Sequence, residues 1–407
     1  MNDYLSLTEY QPAVLPLSEA DAAWLANLQP RRFEVFPVAG GDLWQVACGS
    51  TVGVVELPSG MVLRCQPKAP VRNVFFMLAT AYRFGSPFFD QALAFERVDE
   101  LFDFLVEHLA NLIDARLARG LYRAYIDREE NLPAVRGRIM VAEDLRQNAI
   151  LRHRTMCQFT EFTWDIPENR VIRQTVFAVS RLVRRPDLQR RLAALDRALG
   201  EIDPAPLPLS AFDTFHYHRL NEDYRPIHRL CRLLLDGASV SEHAGRIGFR
   251  AFLLDMNRLY EQFLTVALDE ELRGDSRMNA QRPAYLDTDG SVSIEPDMTI
   301  LRDGRAVVIA DAKYKLRTGP EHAHADLYQM LAYCTAEQVR QGVLIYPRWE
   351  GAGESVVQVR NSPVEIAHVA IDLGGSIAAV RTEVGRLAGL LREWSNRAPA
   401  ERVISAA

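Results

Sequence analysis

Apolar and polar positions follow three patterns in turn along the chain. Residues 1–100 carry short apolar stretches broken at Gly40-Gly41, Gly49, Gly53 and Ser59-Gly60, and end in a helical stretch at 71–82, the pattern of a small β-rich module. A helical pattern begins at 102–121 and runs to about 240. It is interrupted by a strand-like piece at Arg136-Gly137-Arg138, by Pro167, and by the proline-rich linker at 203–208. Beyond 246 the order becomes helix (251–272), two strand-like runs (292–301 and 306–314), helix (326–333), strands near 339–346, 356–360 and 364–371, and a closing amphipathic helix at 376–394. Helices flanking a mixed sheet define an α/β core. The expected architecture is a multi-domain α/β protein: a β-rich module over 1–100, a mostly helical region over 101–245, and an α/β domain over 246–407.

The two strand-like runs flank Asp303-Gly304, which predicts a hairpin closed by a tight primed turn. Side chains alternate along a strand, so Asp311 and Lys313 share one face. Closing the turn at Asp303-Gly304 brings Asp297 toward Asp311. Two carboxylates at that range are costly unless a divalent cation neutralises them. Such an ion binds a scissile phosphate and activates water, while the Lys313 ammonium orients the nucleophile or stabilises charge developing on phosphorus. Asp-x-Lys at the end of a hairpin is also found on solvated edges. The continuous apolar run Val307-Val308-Ile309-Ala310 argues otherwise, because it reads as a strand buried on both faces.

Two neighbouring helices add candidates. In 251–272, apolar residues at 256, 259, 260, 263 and 267 form a core face. Glu261 lies off that stripe, on a face shared with Leu254, Asn257, Leu264 and Leu268, where a carboxylate needs a partner: a metal, or a neighbour such as Arg258. Gln329 and Tyr333 stand four residues apart on one helical face, placed to brace the lysine or a DNA phosphate.

Together Glu261, Pro296-Asp297, Asp311-x-Lys313 and Gln329-x-x-x-Tyr333 resemble the PD-(D/E)xK nuclease superfamily in its RecB-like form. The resemblance extends further. Tyr4 to Tyr10, Val52 to Gly60, Pro67-Lys68 and Met77-Leu78 are similar to the N-terminal half of the McrC family, and Val135-Arg-Gly137-Arg138-Ile, Thr160-Glu-Phe and Ile166-Pro-Glu168-Asn169-Arg170 continue it in order. Cys65-Gln66 before Pro67-Lys68 and Ile166 before the Pro-Glu-Asn-Arg stretch depart from the family pattern, leaving the subgroup open. The resemblance implies the nuclease subunit of an McrBC-type, modification-dependent restriction system. Its catalytic residues would be Asp297, Asp311, Lys313, Glu261, Gln329 and Tyr333. Magnesium, with manganese as a substitute, would lie at Asp297, Asp311, Ala312 and Glu261. It also implies a partner, an McrB-like AAA+ GTPase hexamer, and double-stranded, modified DNA as substrate. The segments before 246 would dock on that motor and stimulate nucleotide hydrolysis through a basic residue, with Arg136, Arg138 and Arg170 as the nearest candidates. A stand-alone RecB-like repair nuclease and a non-catalytic activator with a vestigial nuclease fold are the alternative readings.

Composition sets limits. The chain has 407 residues, 48% hydrophobic and 25% charged. It has no apolar run of membrane-spanning length and no secretion signal, so the expected location is the cytoplasm. Its net charge of -6 suits DNA poorly, but residues 134–191 carry twelve arginines against six acids, a local balance of +6. Five of those arginines, Arg181, Arg184, Arg185, Arg190 and Arg191, cluster about Pro186, as a solvated, partner-facing or DNA-facing surface. The five scattered cysteines lack zinc spacing, and His216/His218 and His322/His324 each lack a third ligand. No phosphate-binding G-x-x-x-x-G-K-[ST] occurs, so nucleotide hydrolysis is expected of the partner.

Overall fold

The computed structural model describes residues 4–397 apart from 29–31, 39–40, 85–97, 151–152, 184, 244–245, 274–276, 303, 316–319 and 349–352. The chain forms two compact units, one built from residues 1–101 and 253–407, the other from 102–252. The first and last stretches, read from the sequence as separate domains, therefore belong to a single unit.

At the centre of the first unit is a six-stranded mixed sheet in the order Arg277–Ala280, Met298–Arg302, Arg305–Ala312, Gln341–Pro347, Glu365–Ile371, Ser355–Gln358. Met298–Arg302 and Arg305–Ala312 are the expected hairpin: Met298 faces Ala310, and Arg302 faces Arg305. Gly304 has φ +78°, a left-handed conformation that glycine adopts without steric cost, whereas Asp303 lies outside the described residues. Arg305–Ala312 then pairs parallel with Gln341–Pro347, with the helix Pro320–Ala336 as the crossover connection. That helix packs its Met330, Tyr333 and Cys334 on Ile309, Leu344 and Ile366 of the sheet. Gly342 permits the close approach, since a Cβ there would stand 2.6 Å from Met330 Cγ.

Helices Met256–Leu272 and Ile377–Asn396 complete this core, the second capped by Ser376, whose hydroxyl accepts from the Ala379 N–H. The expected helix at 251–272 begins only at Met256. Residues 251–255 instead end the strand Arg246–Asp255, in which Ala251 and Phe252 pair with Ser239 and Ala238, so the run A-F-L-L forms a buried strand. Periodicity alone does not separate a short apolar strand from a helical turn. The N-terminal part of the unit supplies Tyr4–Thr8, parallel to Val62–Gln66, which is antiparallel to Thr51–Glu56. Helix Val71–Ala81 lies against Met256–Leu272, with Phe76 edge-on to Phe263, and Asn73 donates to the carbonyls of Leu373 and Gly375.

In the second unit the expected helices are accompanied by more strand than the single piece at 136–138. Helices Val98–Leu117, Pro167–Ser180, Pro186–Ala198 and Tyr224–Gly237 are joined by a three-stranded antiparallel sheet, in which Thr155–Thr163 lies between Ala124–Leu132 and Arg138–Ile139. Ala124–Leu132 alternates half-buried with exposed positions but buries no residue fully, so its charged sequence hides a strand nine residues long. Gly137 has φ +69°, and a Cβ there would meet the Gln158 carbonyl oxygen at 2.4 Å, so the loop can lie on the central strand only with glycine. Asn169 anchors its helix: its amide donates to the carbonyls of Tyr122 and Trp164 and accepts from the buried Tyr224 hydroxyl at 2.6 Å.

Candidate active site

The hairpin delivers Asp297 and Asp311 to the same end of the sheet because Met298 pairs with Ala310. Asp297 lies just before its strand, and its Oδ2 accepts from the Ala312 N–H at 2.8 Å. Ala312 thus meets Asp297 through its amide. Asp311 is 2% exposed, and the Lys313 ammonium stands 2.6 Å from its Oδ2. The expected sharing of one face by Asp311 and Lys313 is what this ion pair requires.

Burial, then the charges of Asp311 and Glu261, push the Asp297 carboxyl up to about 8. Burial also raises Asp311, against the pull of Lys313. Burial by itself would lower Lys313, but Asp311 outweighs it and holds the ammonium charged. The site therefore gathers more negative charge than one lysine offsets.

Glu261 stands on Met256–Leu272, half-buried, and accepts from Gln281 Nε2 at 2.8 Å. Its carboxyl is raised by burial and by Asp311, so it shares the electrostatic environment of the two aspartates. Sequence reasoning missed Gln281. That residue takes the left-handed conformation (φ +46°), donates its N–H to the Asp297 carbonyl at 3.1 Å and reaches Glu261 with its side chain. It thereby ties two of the acids together. The only signal in the sequence was an amide side chain between two strands, which no periodicity marks.

Gln329 Nε2 donates to the Tyr333 hydroxyl at 2.7 Å, and Tyr333 is raised by burial and then by Asp311, so this face of Pro320–Ala336 does look toward the acids. Among the described residues no group of three or more His, Cys, Asp or Glu side chains is placed to hold a metal ion by itself. Magnesium does not demand one: it is held by one or two carboxylates with water and substrate oxygens filling the remaining positions. Half-buried Asp297 and buried Asp311, both with raised proton affinity and with a third carboxylate in the same field, are donors that suit such an ion.

The remaining candidates fall elsewhere. His218 is committed to Tyr122, 3.1 Å from its hydroxyl, and to the Leu220 N–H. His324 lies on a helix rather than an extended chain, and the His322 side chain is outside the described residues. Arg170 is clamped by both oxygens of Asp165 and by Asp203; Arg136 is half-exposed, bonded to Glu161 and stacked over Phe159; Arg138 is exposed. In the arginine cluster, Arg185 pairs with Glu107 and Asp187, and Arg191 with Asp114; Arg184 is outside the described residues.

A family model described as McrBC 5-methylcytosine restriction system component matches residues 46–347. A curated relative, the type IV methyl-directed restriction enzyme EcoKMcrBC of Escherichia coli (strain K12), is 26% identical over 312 residues, covering 70% of this chain and 88% of its own length. In fold, the chain is similar to a chain of a solved assembly from Thermococcus gammatolerans, described as a half-complex of McrB AAA+ hexamers with bound McrC. That similarity has a TM-score of 0.57 at 18% identity and covers 95% of this chain and all of the other. No helix among the described residues is long and apolar enough to cross a membrane.

Proposed function

Since the chain belongs to the McrBC family of 5-methylcytosine restriction system components, we propose that it is the nuclease subunit, McrC, of such a system. It hydrolyses DNA phosphodiesters with magnesium when an McrB-like AAA+ GTPase hexamer brings it modified double-stranded DNA. The observation that carries this reading is half-buried Asp297 beside buried Asp311, with Lys313 2.6 Å from Asp311, at one end of a mixed sheet read as a PD-(D/E)xK domain.

Asp297 and Asp311 would hold the ion, with the Ala312 carbonyl and Glu261 beside them and manganese as a working substitute. When bound, the ion supplies the Lewis acidity that phosphodiester hydrolysis needs. Lys313, kept charged by Asp311, orients the attacking nucleophile and holds negative charge developing on phosphorus. Gln329 and Tyr333, bonded to each other, brace the lysine or a neighbouring phosphate. Gln281 fixes Glu261 against Asp297.

Docking on the motor is assigned to the N-terminal stretch and to the second unit. Exposed Tyr125 and Phe162, paired across the small sheet with ring centroids 4.9 Å apart, support it, since clustered exposed apolar groups mark interaction surfaces. Of the basic candidates, exposed Arg138 reaches outward more readily than Arg136, which is bonded to Glu161, and than Arg170, whose guanidinium is fixed by Asp165. Cleavage of methylated and unmethylated plasmid by the purified chain, with and without the GTPase and GTP, tests the proposal. Lys313→Ala should abolish cutting and leave partner binding and GTPase stimulation intact. Equal cutting by the chain alone would replace the proposal with an autonomous nuclease.

A further inference from the structure

The catalytic strand Arg305–Ala312 ends one residue before the lysine assigned to chemistry, so the sheet ladder alone does not fix where Lys313 stands. Its N–H still donates to the Ile345 carbonyl at 2.9 Å, but the chain then turns, with the Lys315 N–H donating to the Lys313 carbonyl. Tyr314, at the centre of that turn, is 1% exposed and held at both ends by the N-terminal segment. Its hydroxyl donates to Glu9 Oε1 at 2.6 Å, and its carbonyl accepts from the Tyr10 hydroxyl at 2.5 Å. The same Glu9 oxygen accepts from the Lys68 N–H at 2.6 Å, and the Tyr314 ring lies 5.5 Å from that of Tyr260 and 6.4 Å from that of Tyr10.

Glu9 is an expensive residue to keep in this place. It is fully buried, and its second oxygen has no hydrogen-bond partner among the described residues. Burial pushes its carboxyl up to about 6 even though the Tyr314 hydroxyl and the Lys68 amide pull it down. A buried carboxyl with one oxygen unpaired is costly to keep, and rules of core packing are broken mainly where a site needs the group. What this carboxyl does is hold the residue that follows the lysine.

We infer that Glu9 and Tyr10 are positioning residues for Lys313. By fixing Tyr314 at its hydroxyl and its carbonyl, they set where the ammonium stands relative to Asp311, across 305 residues of sequence. The inference rests on the reading of Lys313 as catalytic. A lysine has four rotatable side-chain bonds, so only the backbone that carries it can be held rigidly. On the other side of the turn, Lys315 Nζ bonded to Asp326 Oδ1 at 2.7 Å, and the Tyr346 hydroxyl bonded to Asp326 Oδ2 at 2.8 Å, complete the restraint.

The test uses the full chain with its GTPase, GTP, modified DNA and saturating magnesium. Tyr314→Phe keeps the ring and removes the hydroxyl; Glu9→Leu removes the acceptor; Glu9→Gln keeps an oxygen for both donors. Displacing a reacting group by about 1 Å costs on the order of 100-fold. Tyr314→Phe and Glu9→Leu should therefore lower the kcat of cleavage about 10- to 100-fold, with the KM for DNA and the GTPase stimulation unchanged, and Glu9→Gln should restore most of it. A second readout is the rate at which acetic anhydride labels Lys313, followed by mass spectrometry; it should rise several-fold in the first two variants and not in the third. Native kcat and native labelling in Tyr314→Phe would overturn the inference, as would a loss of GTPase stimulation in step with cleavage, which marks general disruption. If the unsubstituted chain cuts nothing with every component present, the nuclease reading itself fails, and the labelling rates still decide whether Glu9 and Tyr314 hold the lysine.

Discussion

Replacing Asp297 by asparagine should make the metal-free protein more stable and should do so increasingly as pH rises. The carboxyl is raised from the ordinary 3.8 to about 8, first by burial and then by Asp311 and Glu261. Between those values the folded chain keeps a proton that the unfolded chain has released, so stability falls as pH rises from about 4 to about 8. Each pH unit in that window costs about 1.4 kcal/mol. By pH 7 the cost reaches about 4 kcal/mol, against under about 2 kcal/mol at pH 5. Asparagine retains an oxygen for the Ala312 N–H and carries no charge to bury. Urea denaturation followed by tryptophan fluorescence in EDTA, at pH 5 and pH 7, measures the difference directly. Magnesium should then raise the midpoint of the native chain at pH 7, because an ion that binds only the folded state stabilises it, and should do little for the variant. A variant that is less stable than the native chain at pH 7, or a gap that does not grow with pH, refutes the account of this site as a strained acidic pair.

Two further perturbations concern the second unit. Asn169→Ala removes the acceptor of the buried Tyr224 hydroxyl and the side-chain donor to the Tyr122 carbonyl, while the Trp164 carbonyl keeps the Ile166 N–H. Each unsatisfied buried group costs about 1–3 kcal/mol, so the urea midpoint of this unit should fall markedly; an unchanged midpoint would mean that water replaces the amide. Gly137→Ala forces a Cβ to within 2.4 Å of the Gln158 carbonyl oxygen at φ +69°. The loop carrying Arg136 and Arg138 should lift from the central strand at a cost of about 1–3 kcal/mol, and GTPase stimulation should drop. Stimulation at the native rate would show that the loop's conformation is irrelevant to the partner.

What was legible in the sequence was local. The hairpin around Asp303-Gly304 announced itself through β-branched runs, its pairing placed Asp297 beside Asp311, and a four-residue spacing put Gln329 against Tyr333. These relations need only a strand period, a turn and a helical repeat. The sheet over 124–163 escaped because Ala124–Leu132 is charged along its exposed face, only half-buried on the other, and finds its partner after an intervening helix. Gln281 escaped because its role depends on one left-handed residue between two strands. Glu9 escaped for a different reason: nothing near it in sequence shows that its carboxyl faces Tyr314. The start of the 256–272 helix was set too early because Ala251 to Leu254 is as apolar as a helical core stripe, and strand pairing decided the matter.

Because the first unit is assembled from both stretches flanking 102–252, the order of synthesis sets when it can be completed. Glu9 leaves the ribosome 305 residues ahead of Tyr314, an interval of about 15–60 s at typical elongation rates of roughly 5–20 residues per second. The second unit has all its residues during that wait and can fold first. Any product that stops short of the hairpin lacks the acids, and any product that lacks the opening strand lacks the hold on Tyr314. The end of the sheet that carries Asp297 and Asp311 therefore has its full set of restraints only when the two distant stretches have met.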